Sequence, residues 1–197
     1  MFADLPPFAS FTHAEARDGY EAVCFRAPDA TSSSESRFLL EGGTAATEEG
    51  TPWSVQYRVA VDHDWRTTHV LATGISPAGY RELVALVRDG RWWINGIERA
   101  DLDGCVDIDF ETSLVTNTLA VHRLDLTATA PVEVPAAFVR FEDLRVERVE
   151  QSYLCVEHTT ERTVFDYTST TFDFGCQLVF DASGLVTDYP GIGHRNL

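Results

Sequence analysis

The sequence predicts a mainly β protein, a long antiparallel sheet with a single helix. Three observations predict it. Asp89-Gly90 and Asn95-Gly96, two dipeptides that suit a type I′ hairpin turn, follow each other closely and are separated by Arg91-Trp92-Trp93-Ile94. Alternation of apolar and polar residues marks further strands at 54–61 and 174–180. One segment, 112–124, carries the spacing of a helix.

Taken in order, residues 31–36 (Thr31-Ser32-Ser33-Ser34-Glu35-Ser36) read as a polar loop and 44–51 as a second, acidic one. In 54–61, Val55, Tyr57, Val59 and Val61 alternate with Ser54, Gln56 and Arg58, the pattern of a strand with one buried face. Gly74-Ile75-Ser76-Pro77-Ala78-Gly79 is one residue too long for a nucleophile elbow and reads as a turn. Tyr80, Leu83, Val84 and Val87 fit helical spacing, but a helix there would have to stop where both hairpin signals begin, so strand is preferred. In 112–124, Thr112 or Ser113 can cap a helix whose Leu114, Val115, Leu119 and Leu124 face inward. The strand at 174–180 ends in the turn Asp181-Ala182-Ser183-Gly184. A sheet of this length must hide its edges, and closure is the economical solution; its 22 aromatic residues suit either a packed core or an apolar cavity.

The 197 residues suit one domain, 1–197, and no apolar run reaches the length of a membrane span. The start carries no secretory signal, so a cytoplasmic location is expected. Thirty-one acidic residues against 15 basic ones leave a net charge of −16, and every basic residue is Arg. Such a chain has few cations with which to displace the counterions of phosphate backbones or anionic bilayers, so nucleic acid is not an expected partner. Without Lys there is no P-loop lysine and no Schiff base. An acidic, Arg-only composition suits a protein of concentrated salt, a halophilic one; a GC-rich genome explains the missing Lys but not the charge. Cys24, Cys105, Cys155 and Cys176 form no C-x-x-C pair, so free thiols and no zinc are expected.

No strong catalytic signature is present. The six histidines form no H-E-x-x-H motif, and Asp62-His63-Asp64 reads as a solvated acidic turn. In Cys105-Val106-Asp107-Ile108-Asp109-Phe110-Glu111, a strand places Asp107, Asp109 and Glu111 on one face. Carboxylates at i and i+2 stand roughly 7 Å apart, a spacing used in glycoside hydrolysis, although a solvated acidic face has the same pattern. Thr116, Asn117, Thr118, His122 and Arg123 follow, a group able to hydrogen-bond sugar hydroxyls or clamp an anion.

These residues resemble the bacterial and archaeal family known as putative glycolipid-binding. The matching segments are Asp64-Trp65-Arg66-Thr67, Gly104-Cys105-Val106-Asp107-Ile108-Asp109, Thr116-Asn117-Thr118-Leu119 with Arg123-Leu124, Gln151-Ser152-Tyr153, and Gly184-Leu185-Val186-Thr187-Asp188-Tyr189-Pro190-Gly191, followed by Arg195. The resemblance implies a spiral β-roll, a long antiparallel sheet wrapped around a single helix, usually a homodimer. Ser113, Ala120 and His122 depart from the family pattern, which has Pro, Pro and Arg there.

The expected function is non-catalytic binding or carriage of an amphipathic ligand, a glycolipid, its acyl part in the roll and its head at the mouth, with no cofactor. Expected contacts are Trp65, Arg66, Asp107, Asp109, Asn117, Arg123, Gln151, Tyr153, Tyr189 and Arg195. Two alternatives stand beside it: a hydrolase of a sugar or lipid head group using Asp107 and Asp109, which requires one carboxyl of raised pKa near a cleft, and a dimeric scaffold without ligand.

Overall fold

The computed structural model describes residues 2–27 and 36–196. The chain enters a large sheet at β1 (Phe8–His13) and runs outward, each strand antiparallel to the last, through β2 (Asp18–Arg26), β3 (Ser36–Glu48), β4 (Thr51–Asp62), β5 (Thr67–Ser76), β6 (Gly79–Arg88), β7 (Arg91–Ile94) and β8 (Ile97–Glu98). It then turns inward, through a 3-10 turn at Ala100–Leu102, β9 (Asp107–Phe110) and α1 (Asn117–Val121). After β10 (Val132–Glu133), β11 (Ala136–Val139) and β12 (Val146–Val149), it rejoins the sheet with β13 (Gln151–His158), β14 (Arg162–Ser169), β15 (Phe174–Asp181), β16 (Val186–Tyr189) and β17 (Gly193–Arg195). The last of these pairs antiparallel with β1, which makes one fourteen-stranded sheet in the order β10-β13-β14-β15-β16-β17-β1-β2-β3-β4-β5-β6-β7-β8.

This sheet is not closed. Its two end strands, β8 and β10, are two residues each, which leaves little bare edge for another chain to pair with. A second sheet of three strands, β12-β11-β9, packs on its buried face, with β9 parallel to β11. Both halves of the large sheet share one apolar cluster with these inner elements: Phe11, Tyr57, Phe165 and Phe180 from the sheet meet Phe110, Leu114 and Leu119. Aromatic residues such as these thus fill the inside as a packed core, while Phe8, Tyr20, Tyr80 and Phe172 stay exposed. No helix of the described residues is long and apolar enough to cross a membrane.

Local chemistry explains most elements. Both hairpin dipeptides have positive φ at both residues, +51° and +74° at Asp89-Gly90 and +50° and +81° at Asn95-Gly96, as a type I′ turn requires. The segment with two possible periods is strand β6, and residues 77–78 form the turn between β5 and β6. The acidic loop expected at 44–51 is instead a hairpin. Thr44 and Ala46 are buried within β3, and Glu49-Gly50, at +50° and +77°, turns the chain directly into β4. The polar loop at 31–36 lies, up to residue 35, outside the described residues.

The helix is shorter than expected, five residues rather than 112–124. Side chains before it compete for the backbone. Ser113 Oγ accepts the Val115 amide at 3.1 Å, and Thr116 Oγ1 accepts the Phe110 amide at 3.3 Å, so turns replace the first helical bonds. All five residues of α1 are buried.

Candidate functional site

A buried carboxyl on β2 sets the position of the segment that leads into α1. Glu21 accepts the Tyr57 hydroxyl and Ser113 Oγ, both at 2.5 Å on one oxygen, and the Leu114 amide at 2.8 Å on the other. Burial pushes its pKa up to about 7 against these hydrogen bonds. Tyr57 reaches Glu21 across Gly42, where an added Cβ would stand 2.5 Å from its hydroxyl.

Held this way, α1 and β9 face strands β14 to β16 across a cleft of about 260 Å³. Its polar residues include Asp109, Asn117 and Tyr189; its apolar walls are Phe138, Tyr167, Phe172 and Phe174. Neighbours fix Asp109 and Asn117, and a further bond ties the wall residue Tyr167 to Gln151. Thr116 Oγ1 donates to Asp109 at 2.7 Å, the Tyr153 hydroxyl donates to Asn117 Oδ1 at 2.8 Å, and the Tyr167 hydroxyl donates to Gln151 Oε1 at 2.8 Å. Asp109 is pushed up to about 7, by burial first and by its acidic neighbours Asp107 and Glu111 next. Near neutral pH it can therefore donate as well as accept a hydrogen bond. Burial also raises the phenol pKa of Tyr153 and Tyr189, keeping both as neutral hydroxyls. At the rim, Arg140 forms an ion pair with Glu111 at 3.4 Å and lies over the rings of Phe138 and Phe172.

The remaining sequence-predicted residues are elsewhere. Asp107 and Arg123 form a two-pronged ion pair, 2.7 and 2.5 Å, in which Asp107 is buried. Arg123 also donates to the Trp65 and Leu119 carbonyls, so its guanidinium is committed to holding the β4–β5 turn against α1. Trp65, at φ +61°, stacks on His122 with ring centres 3.5 Å apart. Burial lowers His122 to about 3, so this departure from the family pattern supplies a neutral stacking partner and no cation. Arg66 is exposed beside a different cleft, with Thr68 and Arg88. Arg195 pairs with Asp181 at 2.5 Å. Asp109, Asn117, Gln151, Tyr153 and Tyr189 thus form one assembly, while Trp65, Arg66, Asp107, Arg123 and Arg195 lie outside it.

Over residues 14–195 the chain matches the model of the family described as Putative glycolipid-binding. The chain belongs to that family. This glycolipid-binding family member is similar over its whole length to a DUF1089 family protein of Pseudomonas aeruginosa, with 26% identity, a TM-score of 0.73 and 98% of that chain covered. It also shares its fold with a β-barrel-like protein of the DUF1849 domain from Brucella abortus, at 12% identity and a TM-score of 0.60, over 99% of this chain and 96% of that one. No curated protein matches it.

Several residues that shape this family member's site escaped the sequence reading. Glu21 and Tyr57 sit in ordinary alternating strands, and only the register of β2, β3 and β4 brings them together. Tyr167, Phe172 and Phe174 come from the β14–β15 hairpin and Phe138 from β11. Glu111 was visible in the Asp-x-Asp-x-Glu pattern, and it does line the cleft.

Proposed function

We propose that the protein is a non-catalytic binder of an amphipathic ligand of the glycolipid class, and that the cleft between β9, α1 and β14 to β16 takes a sugar ring of its head group. The observation that carries this reading is the convergence of Asp109, Asn117 and Tyr189 on a cleft walled by aromatic rings. Aromatic faces suit the C–H face of a sugar ring. A carboxyl, an amide and a phenol supply donors and acceptors for its hydroxyls. At about 260 Å³ the cleft suits one ring, not a whole lipid. The acyl part then leaves past Phe172, which is 42% exposed at the cleft, because the inside of the sheet is already filled. The complete burial of α1 supports reading the large sheet as a roll around it. Arg123 acts from behind, through Asp107, and not as a head-group contact.

The test is a titration with octyl glucoside, with octanol as the control. Asp109→Asn is expected to weaken the glucoside about tenfold, roughly 1.4 kcal/mol, and leave octanol unchanged, whereas Phe172→Ala, at the exit of the alkyl chain, is expected to weaken the glucoside by a similar factor and octanol with it. Glucoside affinity unaltered by both changes rejects the assignment.

A second reading, hydrolysis of a glycosidic bond, draws on the raised pKa of Asp109, which suits a general acid. Asp107 does not line the cleft, so the companion carboxylate would be Glu111, which does, paired with Arg140 at its rim. Turnover of nitrophenyl glycosides that Asp109→Asn abolishes would establish it.

A further inference from the structure

A second, larger cleft lies on the other side of α1, bordered by the start of the chain, the facing ends of β2 and β3, the β4–β5 turn and the segment after α1. Its volume is about 850 Å³, within the range of small-molecule sites. Phe25, Phe38, Leu124 and Leu126 line it and are only half-buried, so apolar surface remains open to water inside a concave site. Trp65, held by its stack on His122, closes one wall.

The charge at this cleft runs against the rest of the molecule. On a chain of net charge −16, two arginines, Arg26 and Arg37, line this one apolar cleft. Arg26 shares Glu41 with Arg58, while Arg37 lies over the Trp65 ring, 5.3 Å from its centre, and forms no ion pair among the described residues. Asp4 is the one acidic residue among those lining the cleft. Apolar walls with a cation at the rim are complementary to a chain with an anion at its end.

We propose that this cleft binds a single-chain anionic amphiphile, a fatty acid, with the alkyl chain against Phe25, Phe38, Leu124 and Leu126 and the carboxylate at Arg37. A neutral sugar head has no need of Arg37, so this site is distinct from the one assigned above, and either assignment can fail without the other. A free fatty acid is the occupant argued here because an alkyl chain suits the half-buried apolar walls and a carboxylate suits the guanidinium of Arg37 at the rim.

The experiment is calorimetric titration of the full chain with dodecanoate, and with dodecanol as the neutral control, at about pH 7.5. Wild type binds dodecanoate; Arg37→Gln weakens it about tenfold, with a far smaller effect on dodecanol; Leu126→Asp removes both; Phe172→Ala, in the other cleft, changes neither. Thermal unfolding checks that Leu126→Asp is folded. Magnetisation transfer between dodecanoate methylenes and the Phe38 and Leu124 side chains of the wild type tests the site without any substitution. Absence of dodecanoate binding, binding that survives in folded Leu126→Asp, or methylene contacts at Phe172 instead of Phe38 overturns the proposal.

Discussion

Glu21, fully buried, and Asp109, buried at the cleft, are acids whose pKa is pushed up to about 7, and this gives stability a defined pH dependence. The folded pKa of each lies above its unfolded value. The folded protein therefore keeps protons that the unfolded chain has released at intermediate pH. Stability is full below the unfolded pKa, near 4.5 for Glu21, and falls as pH rises through the folded value of about 7. For Glu21 alone the loss is about 3 kcal/mol. Buried, neutral His13 and His122 act in the opposite sense up to about pH 6.5, so the Glu21 contribution is read as a difference: in urea unfolding, the stability of the wild type relative to Glu21→Gln is expected to fall between about pH 5 and about pH 8. A constant difference would mean that Glu21 is ionised in both states. The Asp107–Arg123 pair makes the opposite case, of a buried charge that is matched. Arg123→Gln leaves Asp107 buried without its cation and should cost about 3 kcal/mol or more, measured in the same unfolding experiment. Adding Asp107→Asn should recover much of that loss.

Gly42 shows how one element shapes the next. A methyl group there meets the Tyr57 ring and hydroxyl at 2.7 and 2.5 Å, so Gly42→Ala must push Tyr57 off Glu21. It is expected to lower stability by about 2 kcal/mol through overpacking and the lost buried hydrogen bond. Gly90→Ala, where nothing lies within 4 Å, should cost only the strain of its positive φ, about 1 kcal/mol. Thermal melts of both variants check the order. The same logic explains what the sequence disclosed about its elements. Asp-Gly and Asn-Gly advertise type I′ turns because those residues tolerate positive φ, and the strands around them were legible. Glu49-Gly50 makes the same turn without that signature, so β3 and β4 looked broken by a loop. The helix is overextended in the sequence because Ser113, expected as its cap, and Thr116, expected within it, hold the backbone amides of Val115 and Phe110 in turns that precede α1. Asp109 and Asn117 were readable as site residues from local spacing. The aromatic walls of the cleft were not, since the β14–β15 hairpin that carries Tyr167, Phe172 and Phe174 meets Phe138 only where the large sheet packs against the small one.

Across the whole molecule, a net charge of −16 sets a condition on the fold. Surface pairs such as Arg91–Glu98 and Arg162–Glu157 relieve it locally, but twice as many carboxylates as arginines leave most of the repulsion uncompensated. Salt shortens the screening length from about 10 Å at 0.1 M to about 3 Å at 1 M. The melting temperature should therefore climb steeply across that interval. A flat response would assign the missing Lys to codon usage and remove the halophilic reading. The pairing of β1 with β17 bears on how the molecule is made. The two fans of strands, β2 to β8 and β13 to β16, share no ladder until residues 193–195 lie down beside 11–13. On the ribosome, β17 emerges after every other strand of the sheet, so throughout synthesis β1 presents an unpaired edge. The seam at the middle of the finished sheet is thus its last part to be zipped, and the interval before it closes is when a nascent chain is most exposed to pairing with a neighbouring one.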